Sequence, residues 1–270
     1  MTTDNTKVLL SLMQGAARRA GMAILRDFSE IDRLQVSSKG PADFVTNADE
    51  KSEETIKYEL RAARPDFAFL GEETGADGDS DHCFIVDPLD GTTNFLHALP
   101  HWAIHIAYQY KGEVLATVTY DPVKDEMFSA SKGEGAYLND QRLRVSGRKK
   151  MSDALFATGI PFLGINEDKH EEYLLRLGRV MSKTGGIRRF GSASLDLAYV
   201  AAGRYEGFFE YGLNPWDIAG GILLVREAGG FVVDQANRTY KVEGIGQQTK
   251  WIVASNYELS TDFVQTLNGK

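Results

Sequence analysis

Phe84-Ile85-Val86-Asp87-Pro88-Leu89-Asp90-Gly91-Thr92-Thr93-Asn94-Phe95 runs from a short apolar segment straight into two carboxylates, a glycine and two hydroxyls. The apolar residues read as a buried strand ending in acids. Carboxylates chelate hard cations. Hydroxyls and the free N–H groups of a turn or helix start hold phosphate. A cap by Thr92 or Thr93 alone would explain the hydroxyls but not the acid pair beside them. The stretch therefore points to metal-assisted chemistry on a phosphate ester.

Working outward, Phe67 to Leu70 reads as a second short strand, followed by Glu72-Glu73. Strand ends are rigid places to hold ligands. Lys7 to Phe28 carries Leu9, Leu12, Met13, Ala16, Ala20 and Ile24 at helical spacing. The polar run Ser37-Ser38-Lys39-Gly40-Pro41 reads as a loop. A second helix is expected from near Asp49 to Ala63, stopped by Pro65. From Trp102 to Val145 the pattern is β-rich, with Lys111-Gly112 as a hairpin turn and strands continuing through Met127–Ala130 and Ala136–Leu138. The remainder alternates strands (Leu155–Thr158, Tyr205–Glu210, Phe231–Val233, Trp251–Ala254) with helices (Glu167–Ser182, Ser192–Ala202, Asp217–Ala228). A mixed α/β layered sandwich is expected, as one unit over residues 1–270 with a soft internal boundary near 146–152.

The chain has 270 residues, 43% of them hydrophobic, and a net charge of -8. That balance suits a globular protein and argues against direct nucleic-acid binding. Cys83 is the one cysteine, so no intramolecular disulfide can form, and it reads as a buried thiol. The N-terminal sequence lacks a signal pattern, and no apolar run approaches a membrane span. A reducing cytoplasm is the expected compartment.

The candidate metal ligands are Glu72, Asp87, Asp90 and Asp217, with Asp49 close behind. An oxygen-only set suits Mg²⁺, Mn²⁺ or Ca²⁺ rather than zinc. Two like charges 4 Å apart repel by about 4 kcal/mol at an effective dielectric near 20, so converging carboxylates need cations or take up protons. Glu73, Asp77, Asp79 and Asp81 read as solvated acids. Asp217, after Asn214-Pro215-Trp216, sits at a helix start, where it would be an N-cap if it stood alone. His101 and His105 flank a strand-like run and are not read as a metal pair. Arg188-Arg189 could meet a phosphate or a partner, but a solvated or ion-paired couple is the preferred reading.

Asp87-Pro88-Leu89-Asp90-Gly91-Thr92-Thr93-Asn94-Phe95 resembles the first signature of the inositol monophosphatase family, and Trp216-Asp217-Ile218-Ala219-Gly220 resembles the second. Gly71-Glu72-Glu73 and Asp43-Phe44-Val45-Thr46-Asn47-Ala48-Asp49 match two further family motifs, in the family's order. Gly191-Ser192-Ala193-Ser194-Leu195-Asp196-Leu197-Ala198-Tyr199 and Phe208-Phe209-Glu210 are most similar to the bacterial branch. The resemblance covers nearly the whole chain. It implies a layered αβαβα sandwich, a homodimer, and a Mg²⁺-dependent, lithium-sensitive phosphomonoesterase.

Two to three cations are implied, with Mn²⁺ as an alternative and Ca²⁺ and Li⁺ inhibitory. Glu72, Asp87 and the Leu89 carbonyl would hold the first, and Asp87, Asp90 and Asp217 the second. A third would sit near Glu72, with the loop containing Lys39 nearby. Thr92, paired with Asp49, would position the attacking water, with Asp49, Glu72 and Thr92 as the catalytic group. Asp90, Gly91, Thr92, Thr93, Gly191, Ala193 and Glu210 would contact the substrate. Inositol phosphate or a similar small polyol phosphate is the expected substrate. Histidinol phosphate, fructose bisphosphate and nucleotide 3'-phosphates stay open, as does a role as a binding partner of the transcription machinery.

Overall fold

The computed structural model describes residues 3–30, 36–40, 43–163, 166–240 and 250–270, with only the backbone described for 3–5, 36–40 and 43–46. The first layer is α1 (Thr3–Ser29) and α2 (Asn47–Ala63). Leu9, Met13, Ala16, Ala20 and Ile24 make one buried stripe on α1, because residues three and four apart share a helix face. Residues Val36–Gly40 (β1) and Asp43–Thr46 (β2) pair antiparallel. The stretch Ser37–Gly40 is therefore a strand rather than the expected loop. Its polar composition matched turn chemistry, but strand pairing uses backbone groups and tolerates polar side chains.

The second layer is an eight-stranded mixed sheet in the order β10-β9-β8-β7-β6-β5-β3-β4. Its strands are β3 (Ala68–Gly71), β4 (Gly75–Asp77), β5 (His82–Asp90), β6 (Ala103–Tyr110), β7 (Glu113–Asp121), β8 (Glu126–Ser131), β9 (Gly135–Leu138) and β10 (Gln141–Arg142). A short α3 (Thr92–Leu96) follows β5. β3 and β5 are parallel, and the other pairs are antiparallel.

A second mixed sheet, in the order β12-β11-β13-β15-β14, comprises β11 (Leu155–Thr158), β12 (Gly186–Arg188), β13 (Gly207–Tyr211), β14 (Phe231–Asp234) and β15 (Trp251–Ser255). Between the sheets lie α5 (Ala193–Ala201) and α6 (Pro215–Glu227). Both are buried nearly all round, so neither shows the amphipathic stripe of α1. Outside the second sheet lie α4 (His170–Met181) and α7 (Ser260–Leu267). Phe156 and Phe209 pack toward α4 and α7, while Ala157 and Phe208 face α5 and α6, the two-residue alternation of strands. The five layers give the expected αβαβα sandwich.

The local irregularity that matters is in β5. Phe84 and Val86 face α1 and α2, while Cys83 and Ile85 face the α6 side. Leu89 again faces α1 and α2, three residues after Val86. The register explains this: Asp87 is opposite His105 and Asp90 opposite Ala103, with a shift between them. One extra residue bulges there, next to a proline that has no N–H to donate. A regular strand would point residues three apart to opposite faces. The bulge turns Asp87 and Asp90 to the same one.

Candidate active site

Glu72, Asp90, Gly91, Thr92, Thr93, Gly191, Ala193, Glu210 and Asp217 line one pocket of about 320 Å³, a volume suited to a small phosphate ester. Asp49, Asp87 and Leu89 stand behind its wall. Every residue expected at the site except Lys39 is thus in or directly behind this pocket; the Lys39 side chain lies outside the described residues.

Asp87 is 2% exposed. Its Oδ1 accepts the Leu89 N–H at 3.0 Å, closing the bulge. Ser52 Oγ, from α2, donates to the Pro88 carbonyl at 2.8 Å and fixes it from below. Glu72 follows β3, and its N–H donates to the Val86 carbonyl at 3.2 Å, which brings it beside Asp87. The two carboxyls are hydrogen-bonded. Burial pushes Asp87 well above the usual carboxylate range, and Glu72, Asp90 and Asp217 add to this by their charge.

Asp90 is held from the far side of the molecule. Its Oδ2 accepts from Ser192 Oγ (2.7 Å), Ser194 N (2.8 Å) and Ser194 Oγ. Burial raises its pKa, and the Ser194 and Ser192 donors oppose that. Asp217 lies in the first turn of α6. Asn214, not Asp217, is the N-cap. Asp217 is the third helical residue, its Oδ2 accepting from Asn214 N at 2.6 Å in a capping box, with Pro215 opening the helix. Burial pushes Asp217 up, as does the Asp90 charge.

Thr92 Oγ1 donates to Asp49 Oδ1 at 2.9 Å and lies 3.1 Å from the Leu89 carbonyl. Gly91 turns the chain into α3 at φ 101°, where a side chain would be strained and a Cβ would crowd the His101 carbonyl at 3.1 Å. α3 has only five residues, so its free N–H groups rather than a macrodipole would serve an anion.

Several contributors were not foreseen. Ser192 and Ser194 could have been suspected as hydroxyls near a family motif, but their pairing with Asp90 spans more than 100 residues. Asn94 Nδ2 bridges the carbonyls of His101 (2.8 Å) and Phe190 (2.7 Å), tying α3 to the opposite rim. Arg189 lines the pocket rather than standing apart as a surface charge. Asp196, on α5, is 1% exposed, and its Oδ1 has no hydrogen-bond partner among the described residues. Burial, then the Glu210 and Asp90 charges, hold its carboxyl well above the usual range.

None of the histidines is among the residues lining the pocket. His105 is buried between Thr119 Oγ1 (2.7 Å) and the Gly220 N–H (3.1 Å), and burial depresses its pKa to about 3. Cys83 is buried too, its thiol pushed up to about 11 by burial.

Whether this donor set fits cations can be judged from its chemistry. The ligands offer only oxygen, and the most buried of them is surrounded by three like charges that need compensation. Among the described residues no three acids form a closed cation cage. Their common pocket and unneutralised burial fit a hard cation.

The chain matches the model of the inositol monophosphatase family over residues 5–269. It belongs to that family. It is 54% identical over 230 residues to a protein of Rhizobium meliloti named inositol-1-monophosphatase, covering 84% of this chain and 85% of that one. It is 49% identical to a Pseudomonas aeruginosa protein named Nus factor SuhB, with 84% and 85% covered. The solved structure of the extragenic suppressor protein suhB from Bartonella henselae superposes with a TM-score of 0.91 at 48% identity, covering 96% of this chain and 98% of that one. Family membership makes the chain a phosphatase.

Proposed function

We propose that the chain hydrolyses inositol monophosphate, or a similar small polyol phosphate, by cation-dependent in-line attack of water. The observation that carries this is the β5 bulge, which turns Asp87 and Asp90 to one face beside the Thr92–Asp49 hydrogen bond.

Glu72, Asp87, the Leu89 carbonyl, Asp90 and Asp217 would hold two Mg²⁺ ions, with a third near Glu72. Such ions supply Lewis acidity toward the phosphoryl group and the water. Thr92 donates its hydroxyl hydrogen bond to Asp49, so its oxygen lone pairs accept from the attacking water and aim it. Asp49, buried at the start of α2, keeps Thr92 in that orientation. The N–H groups and hydroxyls of Gly91 to Thr93 bind the phosphoryl oxygens as charge develops there. Gly191, Ala193 and Glu210 face the alcohol. Direct attack is favoured over a phospho-aspartate because both opening aspartates would serve as ligands.

Phosphate release from a panel of monoesters, with and without Mg²⁺ and Li⁺, tests this reading. Release that needs Mg²⁺, falls with Li⁺ or Ca²⁺ and is fastest on inositol phosphate is expected. Cation-independent release would overturn it. We assign the protein to the cytoplasm and to a homodimer. Leu99 and Phe190, 52% and 43% exposed, offer apolar surface for such an interface. Light scattering tests it.

A second reading has its own support. Relatives in Pseudomonas and Salmonella are named Nus factor SuhB, so a contact with the transcription machinery is proposed alongside catalysis. Co-purification of RNA polymerase-associated factors with the Asp90→Asn protein is the expected result. A protein that brings down none of them would remove this role.

A further inference from the structure

The far half of the pocket has a charge pattern of its own. Glu210, at the end of β13, lies flat against the backbone of Gly159, whose N–H it accepts. A Cβ at Gly159 would overlap the Glu210 carboxylate, so glycine is what allows that placement. Across from it stands Arg189. Its guanidinium packs over the Phe162 ring, 5.7 Å from the centroid, and its Nη1 lies 3.0 Å from where a Cβ on Gly191 would be. Arg189 is the only cation lining the pocket among the described residues. It makes no hydrogen bond or ion pair with any of them, so its five N–H donors are directed to solvent or to a ligand. It is nonetheless near enough to act on Glu210 and Asp196 through its charge.

We propose that Arg189 is a specificity-determining residue that selects neutral polyol phosphates and rejects those of amino alcohols. This rests on the phosphatase reading above. Glu210 accepts from hydroxyl groups, and Arg189 donates to hydroxyl oxygens, so a neighbouring pair of hydroxyls satisfies both. An ammonium group would be repelled by Arg189. A hydrocarbon alcohol would displace water from both and return nothing, which is the costly case. Stacking on Phe162 restrains the guanidinium, so little rotamer freedom is lost on binding.

The test compares steady-state hydrolysis of inositol 1-phosphate and O-phosphoethanolamine by the full-length protein, its Arg189→Gln variant and its Arg189→Lys variant. Wild type should favour inositol 1-phosphate. Arg189→Gln should raise KM for inositol 1-phosphate about tenfold at nearly constant kcat, the loss expected of one hydrogen bond to a charged group. The same change should leave or lower KM for phosphoethanolamine, so the preference narrows. Arg189→Lys should keep the rejection of the amine, which needs only charge, while recovering part of the polyol affinity. Equal changes on both substrates, or an unchanged KM for inositol 1-phosphate, would overturn the role of Arg189 and leave the phosphatase reading standing. A wild type that releases phosphate from neither substrate overturns both.

Discussion

Two sets of buried acids divide this molecule, and they differ in what surrounds them. Glu53 lies under Gly71, and its carboxylate accepts the N–H groups of Glu73 and Thr74, each at 2.9 Å. Glu206 accepts Arg148 Nη1 (2.9 Å) and the Leu155 N–H (2.6 Å). Asp121 accepts the N–H groups of Val123 and Lys124 and pairs with Lys124 Nζ. Each of these meets a donor with every charge. Asp87, Asp90, Asp217 and Glu210 are instead pushed up by burial, with further acids beside them. The first set holds turns and connections in place. The second stores unbalanced charge around a pocket, which is where perturbed acids tend to carry function. Burial alone does not separate the two.

The sharpest way to break this comparison is Asp90→Asn. It should lower kcat about 10³-fold through lost cation binding while circular dichroism and melting stay near wild type. Near-normal turnover at saturating Mg²⁺ would move Asp90 into the structural set.

The next effect is on the pH dependence of stability. Glu210 is pushed up to about 8 from 4.5, by burial first, with the Asp90 charge adding to it and Arg189 opposing. Its folded value lies above its unfolded one, so the folded chain keeps a proton that the unfolded chain has released. That contribution is full below pH 4.5 and is lost as pH rises through about 8. In cation-free buffer, the unfolding free energy of wild type, read from urea titrations, should fall across this window by up to about 5 kcal/mol relative to Glu210→Gln. Parallel curves would show that Glu210 is balanced after all.

A member of the satisfied set should behave oppositely. Glu206→Gln weakens a half-exposed pair, so a loss of about 2 kcal/mol is expected in chemical denaturation, with kcat retained. The smallest change is Lys132→Ala, which removes an exposed partner of Glu113. It should cost less than about 0.5 kcal/mol, read as a melting shift near the limit of detection.

Much of this was legible in the chain. The stripe on α1, the alternation of β6 and β7, and the acids around Asp87 announced themselves through period and local chemistry. The bulge did not, because register depends on the neighbouring strand. It was also why the strand was expected to stop at Val86, when it runs on to Asp90. Asp217 was read as a ligand at a helix start, but its place as the third residue of that helix depended on Asn214, two residues before Trp216. Short strands such as β12 and β4, and the helix α7, carry too few residues to show a period. The motif around Ser194 and the Arg188-Arg189 pair were visible, but not what Ser194 and Arg189 do, since that depends on partners far along the chain.

The donors that fix Asp90 all come from residues 192–194, more than 100 positions later. A chain that has emerged only through β10 therefore holds Glu72, Asp87, Asp90 and Thr92 but lacks Ser192, Ser194 and Asp217. Its acids have no anchor on their second side, and bringing the two stretches together must first overcome the entropy of closing a long loop. The pocket is therefore complete only once α5 and α6 both lie between the sheets, and a partly made chain stays chemically silent.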